Sequence, residues 1–126
     1  MLPPPQQGVD FLWIDAYSAD TLRGSLPQVV FLDGRSTDEF RAGHVPGALR
    51  LTLPELDRQL TPSLLALLAE ADAVILYGDS KDGDLEQLLA QRLRLQGLAP
   101  PSIMTGGFPS WEHSLLEVAS DGETGP

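Results

Sequence analysis

Val29-Val30-Phe31-Leu32-Asp33-Gly34-Arg35-Ser36-Thr37-Asp38-Glu39-Phe40-Arg41-Ala42-Gly43-His44-Val45-Pro46-Gly47-Ala48 packs a strand, a turn, a helix start and a stiff loop into twenty residues. Val29–Leu32 is an unbroken apolar run of strand formers, the pattern of a strand buried on both faces in a parallel sheet. Asp33-Gly34 ends it. Ser36-Thr37-Asp38-Glu39 is a capping-box pattern, in which the Ser hydroxyl and the Glu carboxylate each satisfy an exposed N–H of the other's backbone. Gly43, Gly47 and, further on, Gly106 and Gly107 are expected to supply positive-φ turns. Pro46 stiffens its loop.

The same alternation extends outward. Ala73–Tyr77 is a second buried run ended by Gly78-Asp79, Ser102–Thr105 a third ended by Gly106-Gly107, and Phe11–Ile14 a short first strand held between Asp10 and Asp15. Helical signals fall between them. Ser18 is the expected cap of a helix through Arg23, with Gly24 just beyond it. Thr61-Pro62 sets a cap before a proline at the first helical position of a helix through Ala71. Leu85, Leu88, Leu89 and Leu93 share helical spacing, with Gly97 as the stop. Pro109–Leu116 is the expected last helix, Trp111 and Leu115 one turn apart. Strands alternating with helices predict a three-layer α/β domain: a mainly parallel sheet of about five strands, helices on both faces. Val30, Leu32, Val74, Leu76 and Ile103 are its expected core. Ligands of such sheets sit beyond the carboxyl ends of the strands, here Asp33–Ser36, Gly78–Asp84 and Gly106-Gly107.

Composition narrows the function. The chain of 126 residues is long enough for one domain with its own core. Residues 9–119 are expected to form it, with 1–8 a proline-bearing extended arm and 120–126 a loose polar tail. A net charge of −10 argues against nucleic acid and against anionic membrane surfaces. There is no cysteine, which removes disulfides, thiolate metal sites and every thiol mechanism. The two histidines are too few for a His-rich metal centre. No apolar stretch reaches membrane-span length, and the N-terminal residues lack the basic-then-apolar pattern of a signal peptide, so the cytoplasm is the expected location.

The segment Phe31–Ala48 resembles the rhodanese-like domain family: a strand, an Asp-x-Arg turn, a Glu-Phe helix and a Gly-His-Val-Pro-Gly-Ala loop. Thr105-Gly106-Gly107-Phe108-Pro109-Ser110-Trp111 is similar to that family's closing motif. The resemblance runs from about Val9 to Ala119 and implies the same three-layer fold. It marks Asp33, Arg35, His44, Gly47, Gly106, Gly107 and Trp111 as family positions, and each has a structural reading. Asp33 and Arg35 are expected to pair and fix the turn, His44 to bond backbone, Trp111 to sit in the core and His113 on a helix surface.

Active members of the family carry sulfane sulfur on a cysteine at the start of the loop after the central strand, cradled by backbone N–H groups. The matching position here is Gly78, followed by Asp79, and neither can form a persulfide. The loop Gly78-Asp79-Ser80-Lys81-Asp82-Gly83-Asp84, with Glu86 next, is acidic where an anionic donor would bind, and Asp82 or Asp84 is expected to cap the following helix. The favoured expectation is a catalytically inactive binding or regulatory module. Asp79, Asp82 and Asp84 would face a protein partner with a basic surface, and no cofactor is called for. The alternative is an enzyme of non-sulfur chemistry on loop 79–84, with or without a divalent metal. A calcium-loop alignment on Gly83 puts Ser80 and Asp82 on ligand positions but leaves Gly78 and Leu89 at two anchors. Asp33-Gly34-Arg35-Ser36-Thr37 has the look of an aspartate-nucleophile phosphatase turn without its second carboxylate. A Ser80–His44–Asp triad lacks a Gly-x-Ser-x-Gly elbow.

Overall fold

The computed structural model describes residues 11–79 and 82–120. The arm expected over residues 1–8 and, Ser120 apart, the expected tail lie outside them. Five strands form one sheet in the order β1-β5-β4-β2-β3, every pair parallel: β1 Leu12–Ile14, β2 Val29–Asp33, β3 Leu49–Arg50, β4 Ala73–Tyr77 and β5 Ser102–Met104. The helices are α1 Ala16–Ser25, α2 Thr37–Ala42, α3 Leu56–Gln59 after a 3₁₀ turn at Leu53–Glu55, α4 Pro62–Glu70, α5 Asp84–Leu95 and α6 Gly107–His113.

Successive side chains of the central strands point to opposite faces, so the two buried runs feed two cores. Phe31, Ile75 and Tyr77 pack with Ala16 and Ala19 of α1 and with Phe108 and Trp111 of α6. Val30, Leu32, Leu76 and Ile103 pack with Leu56 of α3, Leu68 of α4 and Leu89, Ala90 and Leu93 of α5. Burying each such leucine contributes about 1.5–3 kcal/mol, and this double use of β2 and β4 is what holds the three layers together. Of the expected core, only Val74 is half-buried, at the margin of the second cluster.

Several local expectations are corrected. The cap of α1 is Asp15, whose carboxylate accepts from the Ser18 backbone N–H at 2.7 Å. Ser18 therefore lies inside the helix, and so does Gly24. The short aspartate side chain reaches the N3 N–H from a β-region residue, as caps require. α5 is capped by Gly83 in a left-handed conformation, φ 69°, with no side-chain bond, so Asp82 is not the cap and Asp84 is already helical. The buried face of α5 is Glu86, Leu89, Ala90 and Leu93, while Leu85 and Leu88 are exposed. α6 starts two residues before Pro109 and ends at His113; Leu115 beyond it has φ 58° and is 90% exposed, so it does not stack on Trp111. Gly43 has φ 178°, extended backbone rather than a positive-φ turn. No helix among the described residues is long and apolar enough to cross a membrane.

Candidate functional site

Three loops meet at the carboxyl ends of β2, β4 and β5. The Gly34 N–H donates to the Tyr77 carbonyl at 2.8 Å, tying the β2 loop to the end of β4. The Phe108 N–H donates to the Gly78 carbonyl at 2.7 Å, tying the start of α6 to the β4 loop. Gly107 is what allows that approach: at φ 62°, a Cβ there would run into the Gly78 carbonyl oxygen and stand 3.0 Å from its carbon.

The β2 side is a closed network. Asp33 is fully buried, and its carboxylate accepts from the Arg35 backbone N–H at 2.8 Å, from Arg35 Nε and, at 2.8 Å, from Arg35 Nη2. The same Nη2 also donates to the Gly43 carbonyl, and the guanidinium lies 4.2 Å from the Phe108 ring centroid. Arg35 is therefore spent on holding the β2 turn, the α2 end and α6 together. Tyr77 beneath it accepts from the Val45 N–H at 3.1 Å. Burial and then the Asp33 charge push its phenol far above the usual tyrosine range. The His44 Nδ1–H donates to the Phe40 carbonyl at 2.7 Å, its ring stacks on Phe40, and its backbone bridges to Ala119. Trp111 is buried, its indole N–H donating to the Glu117 carbonyl at 2.7 Å, and His113 is exposed. The expected structural roles of Asp33, Arg35, His44 and Trp111 are what the geometry displays. Gly47 takes φ 81° in its loop.

The β4 side is different. Ser80 and Lys81 lie outside the described residues; Asp79, Asp82 and Asp84 are exposed. Asp79 faces Glu39, the residue that closes the capping box of α2. Sharing a hydrogen bond with Glu39, some burial and the Glu39 charge raise Asp79 above the ordinary aspartate range. Glu39, held by that bond and by Ser36, is lowered.

Glu86 is the residue that sequence reasoning misplaced. Counted with the acidic rim, it is instead 2% exposed, and its Oε2 has no hydrogen-bond partner. Its carboxyl lies under Gly78: a Cβ at that position would stand against Oε2 and 2.8 Å from Cδ. Burial, with the charges of Asp79 and Asp84, raises Glu86 above the ordinary glutamate range, although backbone N–H groups of Glu86 and Gly78 oppose the shift. The signal was present in the sequence, because residues 86, 89, 90 and 93 form a helical stripe as regular as the leucine one. A cavity of about 20 Å³ lies beside the carboxyl, between Gly34, Gly78, Asp79, Leu85 and Leu89. Next to it runs a groove of about 240 Å³ over Thr52, Leu53, Pro54 and the same Leu85 and Leu89. Arg50, bonded to Glu55 at 2.8 Å, lines a neighbouring hollow that shares Gly34, Thr52, Pro54 and Leu85 with the groove. Among the described residues, no three His, Asp or Glu side chains are grouped to hold a metal ion.

The family model described as "Rhodanese-like domain" matches residues 18–114. A thiosulfate sulfurtransferase, GlpE, of Tolumonas auensis is 32% identical over 91 residues, covering 70% of this chain and 76% of its own. The solution structure of a rhodanese-like domain from Anabaena superposes with a TM-score of 0.69 at 22% identity, over 90% of this chain and 83% of that one. A polysulfide-sulfur transferase of Wolinella succinogenes, solved as a homodimer, reaches 0.66 at 19% identity, over 96% and 90%. At these identities the two structures speak for the fold alone.

Proposed function

Because the chain belongs to the rhodanese-like domain family and contains no cysteine, we propose that it is a non-catalytic member, a binding or regulatory module for a protein partner with a basic surface. The observation that carries this reading is the packing at the end of β4. The Glu86 carboxyl fills the space beside Gly78, the position that the family resemblance matches to the sulfur carrier of active members. Sulfur transfer needs a thiolate that both accepts and releases sulfur, and oxygen side chains do neither.

The surroundings support the same reading. An anionic donor would meet Asp79, Asp82 and Asp84, and repulsion between like charges about 4 Å apart is ~4 kcal/mol at an effective dielectric of 20. Three exposed carboxylates on the β4 loop and the first turn of α5 suit a partner's Lys and Arg. The enzyme alternative, metal-assisted chemistry on loop 79–84, has less support, since the described carboxylates do not converge on one point.

Two measurements test the proposal. The unmodified protein should transfer no sulfur from thiosulfate to cyanide above background; clear turnover refutes a non-catalytic reading. Partner capture from the native cell extract should weaken when Asp79, Asp82 and Asp84 become Asn, and added salt should mimic the change. Metal-dependent turnover of any substrate would promote the enzyme reading instead.

A further inference from the structure

We propose that the pocket beside Glu86 is a lysine-binding site, taking one lysine side chain of the protein partner, with its stem along the Leu53–Pro54–Leu85 groove and its ammonium in the cavity against the Glu86 carboxylate. This rests on the binding-module reading above and specifies how that module recognises its partner. A family site built for an anion has, in this chain, become a site for a cation.

Four observations carry it. Glu86 is almost completely buried with one carboxyl oxygen unpartnered, and a buried acceptor left unmade is a standing cost that an incoming donor removes. The adjoining cavity, about 20 Å³, holds one water-sized group. An ammonium is a compact point charge of that size, whereas a guanidinium is a planar fork too wide for it. The groove leading to the cavity shares Gly34, Leu85 and Leu89 with it and is otherwise Thr52, Leu53 and Pro54. Such a wall suits the four methylenes of a lysine stem. Finally, Asp79 lines the cavity and the exposed Asp82 and Asp84 lie nearby in the chain, so the approach is negative.

Oε2 is shut off from solvent, so pairing requires the Glu86 side chain to turn into the cavity and to be ionised. The charged groups around it are Asp79 on the loop and Asp84 on its own helix. From β2 come Asp33 and Arg35, already paired with each other, and from β3 Arg50, paired with Glu55. Asp79, hydrogen-bonded to Glu39, and Asp84 are both acidic and favour the protonated form, so lysine binding should release a proton and strengthen as pH rises.

The probe is lysine capped at both ends as N-acetyl lysine N-methylamide, titrated into the full chain and followed by amide chemical shifts. Millimolar binding is expected, with shifts at Gly34, Gly78, Leu85 and Leu89. Capped norleucine and capped arginine should bind about tenfold more weakly or not at all. Glu86→Gln should cost about tenfold or more, the scale of a charge-assisted hydrogen bond. The titration is repeated on Lys81→Gln, so that the chain's own lysine cannot mask the site. Affinity should rise with pH in the unmodified protein and equally in Asp79→Asn, which removes the other raised carboxylate at the cavity, a dependence that ordinary exposed carboxylates, ionised above about pH 5, do not produce. The pH series keeps the test open even if Glu86→Gln folds poorly. Absence of binding in both proteins, equal binding of arginine, or a lysine affinity indifferent to both Glu86→Gln and pH overturns the proposal. In that event, salt-sensitive partner capture would leave the binding-module reading standing.

Discussion

The turn after β2 and the loop after β4 leave adjacent strands of one sheet, and each buries a carboxylate. At the first, both carboxylate oxygens of Asp33 and the Nε and Nη2 of Arg35 find partners within the domain. At the second, Glu86 is as deeply buried but keeps an oxygen without a partner and a water-sized space beside it. Buried charge that is fully paired belongs to the architecture. Buried charge left unfinished points to something arriving from outside, or to a function that has changed hands. The first region holds the Asp-x-Arg pairing, and at the second, on the reading proposed above, a carboxylate fills the space beside the position matched to the sulfur carrier.

The comparison can be broken most forcefully at Arg35. Arg35→Met should cost about 3–5 kcal/mol, because Asp33 is left as an unpaired buried charge. Urea denaturation measures it, and a loss near the exposed-pair level of under ~1 kcal/mol would mean the network is not structural. Replacing both partners by apolar residues, Asp33→Leu with Arg35→Met, should recover part of the loss.

Next in size is Gly78→Cys. Its Cβ meets the Glu86 carboxyl, so stability should fall by about 1–3 kcal/mol, the usual cost of overpacking. Sulfur transfer should stay near background. Adding Glu86→Ala should restore stability beyond the sum of the single changes, the signature of two residues competing for one space. Neutral replacements at Asp79, Asp82 and Asp84 on top of that pair should favour whatever transfer the new thiol can perform. Strictly additive energies would separate Glu86 from the Gly78 position.

A smaller effect, of opposite sign, is expected from Glu86→Gln. The folded state holds the Glu86 proton more tightly than the unfolded chain does, so it binds more protons wherever the two differ. Stability attributable to this group is therefore present below the unfolded value of about 4.3 and lost as pH rises through the raised folded value. Glu86→Gln should accordingly stabilise the protein by about 1 kcal/mol near neutral pH, roughly 4 °C in melting temperature, and by nothing near pH 4. A stabilisation that is the same at both pH values would remove the ionisation argument. Smallest of all, the Asp79, Asp82 and Asp84 to Asn triple variant should move stability by no more than about 0.5 kcal/mol, since all three are exposed.

What a sequence declares depends on whether the determinant is local. The β2 strand, the capping box of α2 and the Thr61 cap are short-range chemistry, and each stands where the residues put it. β3 is two residues, Leu49–Arg50, defined only by its pairing with Leu32 and Asp33, and it has no pattern of its own. Asp15 and Ser18 are both good caps, and only the folded start of α1 chooses between them. The site was half visible. The missing cysteine and the acidic loop could be read directly, while the burial of Glu86 had to be extracted from helical spacing against the expectation that a glutamate beside three aspartates faces solvent. The Glu39–Asp79 contact joins two segments forty residues apart and had no sequence signal at all.

The left-handed glycine that caps α5 also carries an optical consequence. The indole of Trp13 lies against Gly83, where even a Cβ would come within 3.2 Å of the ring, and it is 45% exposed. The second of the two tryptophans, Trp111, is sealed in the core on the opposite face of the sheet. Trp13 emission is thus an intrinsic beacon on the Gly83 cap of α5, and Trp111 is its internal reference. Anything that parts the Trp13 indole from Gly83 should redden the first signal and open it further to iodide, leaving the second unquenched, with no dye attached.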